Sequence, residues 1–162
     1  MELPTYFEDL LSEVRPTAYQ LDDYRAGHTE LRTLLNEDLD LRPLLIGTFL
    51  QGSYRRATAV RPEDGELGDV DIVVATKLDA EACTPQEALE RFRPFVRTHY
   101  GGKYRYQGRS IGIQLTHVQL DLVVTSAPSE AEATLAQADW VYDDDTPDDV
   151  EEWPLDKALS QA

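Results

Sequence analysis

The sequence predicts an α+β (α/β) fold in which helices, including a long N-terminal one, flank a mixed central sheet. Two short apolar runs rich in β-branched residues, 44–50 and 70–76, are bounded by glycines and polar residues, as buried strands usually are. Apolar side chains recur at helical spacing over residues 17–36, which indicates an amphipathic helix. Two further runs, 104–115 and 117–124, read as adjacent strands that complete the sheet.

Composition limits the class of protein. A chain of 162 residues is long enough for one domain with a single core. Its net charge of -16 argues against general nucleic-acid binding, which needs a basic surface. No stretch approaches the roughly 18 apolar residues that a membrane span requires. Cys83, the single cysteine, cannot form an internal disulfide, so the expected location is cytoplasmic.

Helical patterns account for the N-terminal quarter of the chain. Residues 1–14 predict a short amphipathic helix because apolar side chains recur at three- and four-residue steps. Pro16 fits the first turn of the long helix over residues 17–36, where proline is favoured. Residues 38–43 then break the helix before the first strand.

A Gly-Ser step follows the first strand. Residues 52–59 predict a turn and a short helix, and residues 61–68 a loop. After the second strand, Thr84 and Glu87 have the spacing of a capping box and predict a helix start. Pro94 predicts a kink inside that helix, because proline cannot donate the usual backbone hydrogen bond.

The chain changes character after the last predicted strand. Residues 1–128 hold the predicted helices and strands and are expected to form one domain. Residues 129–162 form an acidic C-terminal segment, in which a charge run is typical of a solvated loop. Four apolar residues in this segment have no evident partner in the chain: Trp140, Tyr142, Trp153 and Leu155.

Three aspartates predict a metal site. Asp69 and Asp71 lie two residues apart in a predicted strand and therefore share one face. Asp121 lies on the polar face of the otherwise apolar stretch VQLDLVV, and a buried carboxylate needs a cationic partner. If these strands are neighbours, the three acids form an oxygen-rich site suited to Mg²⁺ or Mn²⁺ rather than Zn²⁺.

These motifs resemble a known superfamily. Gly52-Ser53, followed by Asp69-Val70-Asp71 and the later Asp121, is similar to the nucleotidyltransferases that include DNA polymerase β. The wider pattern resembles the bacterial CD-NTases, relatives of cyclic GMP–AMP synthase and oligoadenylate synthase. It covers residues 21–128 and includes GSYRRATAVRP, Lys103, Arg109-Ser110-Ile111 and LDLVVTSAP.

The resemblance implies a polymerase β-like catalytic lobe that uses NTPs to make a cyclic di- or oligonucleotide messenger in antiphage signalling. Asp69 and Asp71 would hold two metal ions and the triphosphate. Asp121 would hold the catalytic metal and help to deprotonate the attacking sugar hydroxyl.

The same resemblance implies a nucleotide-binding set beside the acids. Ser53 and the backbone of Gly52 would bind terminal phosphate oxygens, with Gln51 at the edge of that site. Lys103 or Arg109 would contact nucleotide phosphates.

A helical lobe follows the catalytic lobe in that family, and this chain has little sequence beyond Asp121 to form one. We therefore expect the chain alone to bind Mg-NTP but to make little cyclic product unless a longer chain or another subunit supplies that lobe. Two alternatives stay open: a minimal enzyme that transfers AMP to a protein or RNA, and a non-catalytic nucleotide-binding module. Analysis of the products formed from mixed NTPs distinguishes all three.

Overall fold

Five helices and five strands make up the part of the chain that the computed structural model describes, residues 3–63, 65–127, 129 and 131. The helices are α1 (Leu3–Val14), α2 (Ala18–Glu37), α3 (Gly52–Arg55), α4 (Pro85–Arg91) and α5 (Arg93–His99). The strands are β1 (Leu45–Gln51), β2 (Gly68–Thr76), β3 (Tyr104–Gln107), β4 (Ser110–Gln114) and β5 (Val118–Ser126). The apolar residues predicted to lack a partner, Trp140, Tyr142, Trp153 and Leu155, lie outside the described residues.

The strands form one mixed sheet in the order β1-β2-β5-β4-β3. Strands β2 and β5 are parallel, and the other neighbouring pairs are antiparallel. The predicted α+β fold with a mixed central sheet is therefore confirmed. Within the described part of the chain, no helix has the length and apolar character needed to cross a bilayer.

Helix α2 packs against the two central strands, β2 and β5. Its residues Leu31 and Leu35 are fully buried, as are Ile72 of β2 and Leu120 and Leu122 of β5. Because side chains alternate along a strand, the residues between these apolar positions project from the opposite face of the sheet. The packing of α2 therefore determines which face of β2 and β5 carries their polar residues.

The predicted long helix is confirmed, with one correction at its start. Thr17 is the N-cap of α2, and its hydroxyl accepts a hydrogen bond from the backbone N–H of Gln20. The Gln20 side chain accepts one from the backbone N–H of Thr17 at 2.8 Å, which completes a capping box. Pro16 therefore lies before the helix rather than in its first turn.

The helix predicted after Thr84 is divided in two. Thr84 and Glu87 form the predicted capping box at the start of α4. Phe92 ends α4 and begins α5, and Pro94 lies in the first turn of α5. The predicted kink is thus a complete break, because proline at the start of a helix needs no hydrogen-bond partner for its nitrogen.

The single strand predicted over residues 104–115 is wrong. The chain turns back after Gln107, and β3 and β4 pair as an antiparallel hairpin. Gly108 has a φ of 62°, a backbone conformation that glycine tolerates, and Arg109 donates its backbone N–H to the carbonyl oxygen of Gln107 at 2.6 Å. Gly108 is therefore the turn residue of this hairpin.

Candidate active site

Asp69 and Asp71 project from the same face of β2. The residues that alternate with them, Val70 and Ile72, are fully buried on the other face. Asp69 is exposed and Asp71 is half-buried. The strand therefore anchors two carboxylates rigidly at its N-terminal end, as its alternating pattern predicts.

The parallel pairing of β2 and β5 brings the third acid to this pair. Asp121 lies directly opposite Asp71, and Gln119 lies opposite Asp69. Each aspartate offers a carboxylate oxygen that lies within 4.8 Å of those of the other two. The predicted convergence of the three acids is confirmed.

Burial and the neighbouring carboxylates raise the pKa values of the two β2 acids. Burial and the charges of Asp121 and Asp71 raise the pKa of Asp69 to about 6. Burial and the charge of Asp121 also raise the pKa of Asp71, while the charge of Arg56 opposes that shift. Burial and the neighbouring carboxylates therefore disfavour the ionised forms of Asp69 and Asp71 in the absence of a cation.

The three acids fit a divalent cation. They supply carboxylate oxygens, the ligands that Mg²⁺ and Mn²⁺ prefer, and a cation between them would relieve their repulsion. Gln119 donates its side-chain N–H to Oδ1 of Asp121 at 3.3 Å, which helps to orient that carboxylate. The cluster is therefore a candidate divalent metal centre.

The Gly-Ser turn lies against this centre. Gly52 has a φ of 77°, and a Cβ atom at this position would lie 1.9 Å from Oδ2 of Asp71. Tyr54, in the same four-residue helix α3, is 3% exposed and anchors the turn to the core. Thr58 donates its backbone N–H to the carbonyl oxygen of Ser53 at 2.9 Å and closes the turn on its other side. The absence of a side chain at Gly52 is what allows the turn to approach Asp71.

The remaining predicted nucleotide-binding residues lie in two places. Gln51 is half-buried at the end of β1 and lies directly opposite Asp71 in the register. Lys103 and Arg109 are exposed at the two ends of β3, with β4 and β5 between that edge strand and β2. Their contact with nucleotide phosphates stays a prediction.

Sequence reasoning missed residues that surround Asp121. Gln119 could have been found, since it shares a strand face with Asp121 at a spacing of two. Gly112 and Gln107 could not, because they reach Asp121 only through the pairing of β4 with β5 and with β3. Arg56 lies outside regular structure and left no periodic signal.

Asp69→Asn is expected to stabilise the metal-free protein at neutral pH and not at low pH. The pKa of Asp69 lies above its ordinary value of 3.8, so the folded state holds a proton more tightly than the unfolded state does. The free energy of unfolding of the unmodified protein should therefore fall as pH rises from about 4 to 6. At pH 7 the variant should be more stable than the unmodified protein by about 1 kcal/mol, a value that allows for solvent screening. Urea unfolding with a chelator at the two pH values measures this.

Asp40→Asn is the matched control, because Asp40 is an exposed aspartate in a turn. It should not change the pH dependence. Equal destabilisation of Asp69→Asn at both pH values would contradict the raised pKa of Asp69.

A mixed sheet that brings three acids together beside a Gly-Ser turn defines a nucleotidyltransferase domain. The sequence profile of the Second Messenger Oligonucleotide or Dinucleotide Synthetase (SMODS) domain matches residues 1–139. The chain belongs to this family, which confirms the resemblance to the CD-NTases.

The relatives and one solved structure agree with this assignment. The chain is 41% identical over 163 residues to a protein of Salmonella paratyphi B named "Probable cyclic AMP-AMP-GMP nucleotide synthase", with 98% of this chain and 43% of that protein covered. It is also 41% identical over 164 residues to the "Cyclic AMP-AMP-GMP synthase" of Enterobacter hormaechei subsp. hoffmannii (strain UCI 50), with the same coverage of 98% and 43%. The chain therefore spans less than half the length of these relatives.

The fold is similar to that of CdnC from E. coli MS115-1, solved with ATP. The TM-score is 0.62 at 19% identity, over 80% of this chain and 42% of that one. At this identity the similarity supports the fold.

Proposed function

We propose that the protein carrying this chain uses NTPs to synthesise a cyclic oligonucleotide second messenger in antiphage signalling. The observation that carries the proposal is the convergence of Asp69, Asp71 and Asp121 beside Gly52. The names of the two curated relatives support ATP and GTP as its substrates. The reaction would take place in the cytoplasm, where these nucleotides are made.

The three acids and the Gly-Ser turn would have different roles in nucleotidyl transfer. Asp69 and Asp71 would hold Mg²⁺ or Mn²⁺ with Asp121, and the ions would activate the attacking hydroxyl and offset charge on the leaving pyrophosphate. Asp121, on β5 between β2 and β4, would accept the proton of the attacking sugar hydroxyl. Gly52 borders Asp71 on the β1 side, and the triphosphate would bind there to Gly52 and Ser53.

A second wall is needed to hold two nucleotides in line, because positioning supplies much of the rate of phosphoryl transfer. The described residues form one side of the site. The curated relatives are more than twice as long as this chain, since it covers 43% of each. We therefore propose that a further lobe, in a longer chain or a partner subunit, supplies the facing wall.

Mass spectrometry of products tests the proposal. The complete protein is incubated with the four NTPs and Mg²⁺ or Mn²⁺, and a cyclic product that depends on the metal is expected. AMP attached to a protein or RNA would favour the minimal nucleotidyltransferase instead. Unchanged NTPs with either metal would contradict both enzymatic functions.

Ser53→Ala is expected to weaken Mg-NTP binding about fivefold, which corresponds to the loss of one hydrogen bond worth about 1 kcal/mol. The turn itself should persist, because Ser53 closes it through its backbone carbonyl oxygen rather than its hydroxyl. Calorimetric titration with a non-hydrolysable NTP measures the change. Ser12→Ala, at an exposed serine of α1, should leave the affinity unchanged. Unaltered binding in Ser53→Ala would show that the Ser53 hydroxyl does not contact the phosphate.

A further inference from the structure

Residues 91–120 contain no aspartate or glutamate, although the chain as a whole has a net charge of -16. This acid-free stretch holds six of the 15 lysines and arginines in the chain: Arg91, Arg93, Arg97, Lys103, Arg105 and Arg109. Tyr104 and Tyr106 alternate with two of these cations. A local excess of positive charge attracts anions even where the molecule as a whole is acidic. The acid-free stretch is therefore a candidate anion-binding surface.

The fold shapes part of this stretch into a groove between α5 and the edge strand β3. The groove has a volume of about 500 Å³, which is within the range of small-molecule sites. Among the residues that the structure describes, its walls are formed by six, none of them acidic: Arg93, Arg97, Gly102, Tyr104, Arg105 and Tyr106. The groove therefore has the size and the charge of a site for a small anion.

The tyrosines of the groove and the acid cluster lie on opposite faces of the sheet. Tyr104 and Tyr106 pair with Ile113 and Ile111 of β4, which are fully buried, and pack against the core that α2 covers. Asp121 projects from the other face, because the residues that flank it in β5 are buried in that same core. Strand β4 also separates β3 from β5. The groove is therefore a separate site rather than an extension of the acid cluster.

Two arginines of α5 line the groove from the helix side. Arg93 and Arg97 are four residues apart and therefore lie on the same side of the helix. The Arg93 guanidinium lies 5.5 Å from the centre of the Tyr106 ring, within the range of a cation–π contact, and it also forms an ion pair with Glu90. Arg97 is exposed and forms no ion pair with the residues that the structure describes. Its guanidinium donors are therefore available to an anion.

The chemistry of the walls favours a nucleoside phosphate. A guanidinium group binds two phosphate oxygens at once and neutralises their charge without a metal ion. Tyr104 and Tyr106 are half-buried, and their rings meet edge to face with centres 6.1 Å apart, so they present aromatic surface on which a nucleobase can stack. A long nucleic acid would have to continue beyond the groove along a chain with a net charge of -16, which repels it. A mononucleotide fits within the basic region.

We propose that the groove between α5 and β3 binds a nucleoside triphosphate without a metal ion. Arg97, assisted by Arg93, binds the phosphates, and the base packs against Tyr104 and Tyr106. The walls include no acid that could hold a metal ion, so the groove binds the nucleotide without transferring it. The inference goes beyond the proposed function, because it gives the protein a second nucleotide site that differs from the acid cluster in its need for metal.

Nucleotide binding in excess EDTA tests the site in the complete protein. Without metal, the three carboxylates of the acid cluster repel a triphosphate, so the remaining binding reports the groove. Calorimetric titration with ATP or GTP should show binding that Arg97→Ala weakens at least about tenfold, the effect of losing a charge-assisted contact. Arg91→Ala is the matched control and should bind as wild type does, because Arg91 is an exposed arginine of the acid-free stretch that does not line the groove.

Tyr104→Leu tests the contact with the base. Leucine keeps the apolar packing against the core and removes the aromatic ring, so ATP binding in EDTA should weaken roughly fivefold to tenfold. Binding of inorganic triphosphate, which has no base, should not change. A general folding defect would weaken both ligands equally, and that result, or equal affinities of the wild-type protein for ATP and inorganic triphosphate, would overturn the role of the tyrosines.

The two nucleotide sites should respond to different variants. Arg97→Ala should leave metal-dependent binding of a non-hydrolysable NTP unchanged, whereas Asp71→Asn should weaken that binding and leave the binding in EDTA in place. Three results would overturn the inference while the proposed function stands: no binding of ATP or GTP in EDTA, wild-type affinity in Arg97→Ala, and Arg97-dependent binding of single-stranded RNA that is tighter than that of ATP. Failure of the complete protein to make product with either metal would overturn the proposed function alone.

Discussion

Asp71→Asn is expected to abolish nucleotidyl transfer while the fold stays intact. Asp71 lies at the centre of the cluster, opposite Asp121 in the sheet and in contact range of the Gly52 turn. Losing its charge would weaken the proposed metal site, and a metal ion contributes several kcal/mol of transition-state stabilisation in such reactions, so the rate should fall by at least about 10³-fold. Product formation under saturating Mg²⁺ and NTP measures the loss.

Stability distinguishes a functional acid from a structural one. The pKa of Asp71 is raised by burial and by Asp121, so the ionised carboxylate is held against repulsion in the metal-free protein. Asparagine removes that repulsion, and the melting temperature with chelator should stay level or rise. Asp40→Asn, at an exposed turn, serves as the control and should retain full activity. A sharp fall in the melting temperature of Asp71→Asn would make the acid structural.

Gly52→Ala is expected to reduce transfer by at least about 100-fold through displacement of Asp71. The new Cβ would lie 1.9 Å from Oδ2 of Asp71, so the carboxylate must rotate away or the turn must shift. Either movement would displace the Asp71 carboxylate by about 1 Å, a displacement that can cost about 100-fold in rate. A left-handed backbone at a residue with a side chain adds a stability cost of about 1 kcal/mol.

Gly102→Ala separates these two effects. Gly102 has the same φ of 77°, but no atom lies within 4 Å of the Cβ that the substitution would add. Both variants should therefore show the cost of backbone strain in urea titrations, while only Gly52→Ala loses activity. Equal losses of activity in the two variants would show that backbone strain, rather than the contact with Asp71, is responsible.

Periodicity within single segments carried the successful predictions. The spacing of Asp69 and Asp71 defined their shared face, and the alternation around Asp121 marked it as the polar member of an apolar strand. In the same way, the capping-box spacing of Thr84 and Glu87 predicted the start of α4. These signals come from residues that are close together in the sequence, so they can be recognised without knowledge of the fold.

Contacts set by strand register could not be predicted. The approach of Gln107 to Asp121 depends on two successive strand pairings and on a turn at Gly108 that was expected to lie inside a strand. Only the register shows that Arg105 is the position of β3 that lies in line with Asp121. Neither composition nor spacing records which strands become neighbours.

The parallel pairing of β2 with β5 has a consequence for how the protein assembles. Residues 77–117 separate the two strands, so the chain must complete a long excursion before Asp71 can meet Asp121. Contacts between segments that are far apart in the sequence slow the folding of a domain, because the entropy cost of closing the loop comes before the contacts can stabilise the fold. The acid cluster therefore forms only once β2 and β5 have paired, and a fragment that lacks either strand cannot bring the three acids together.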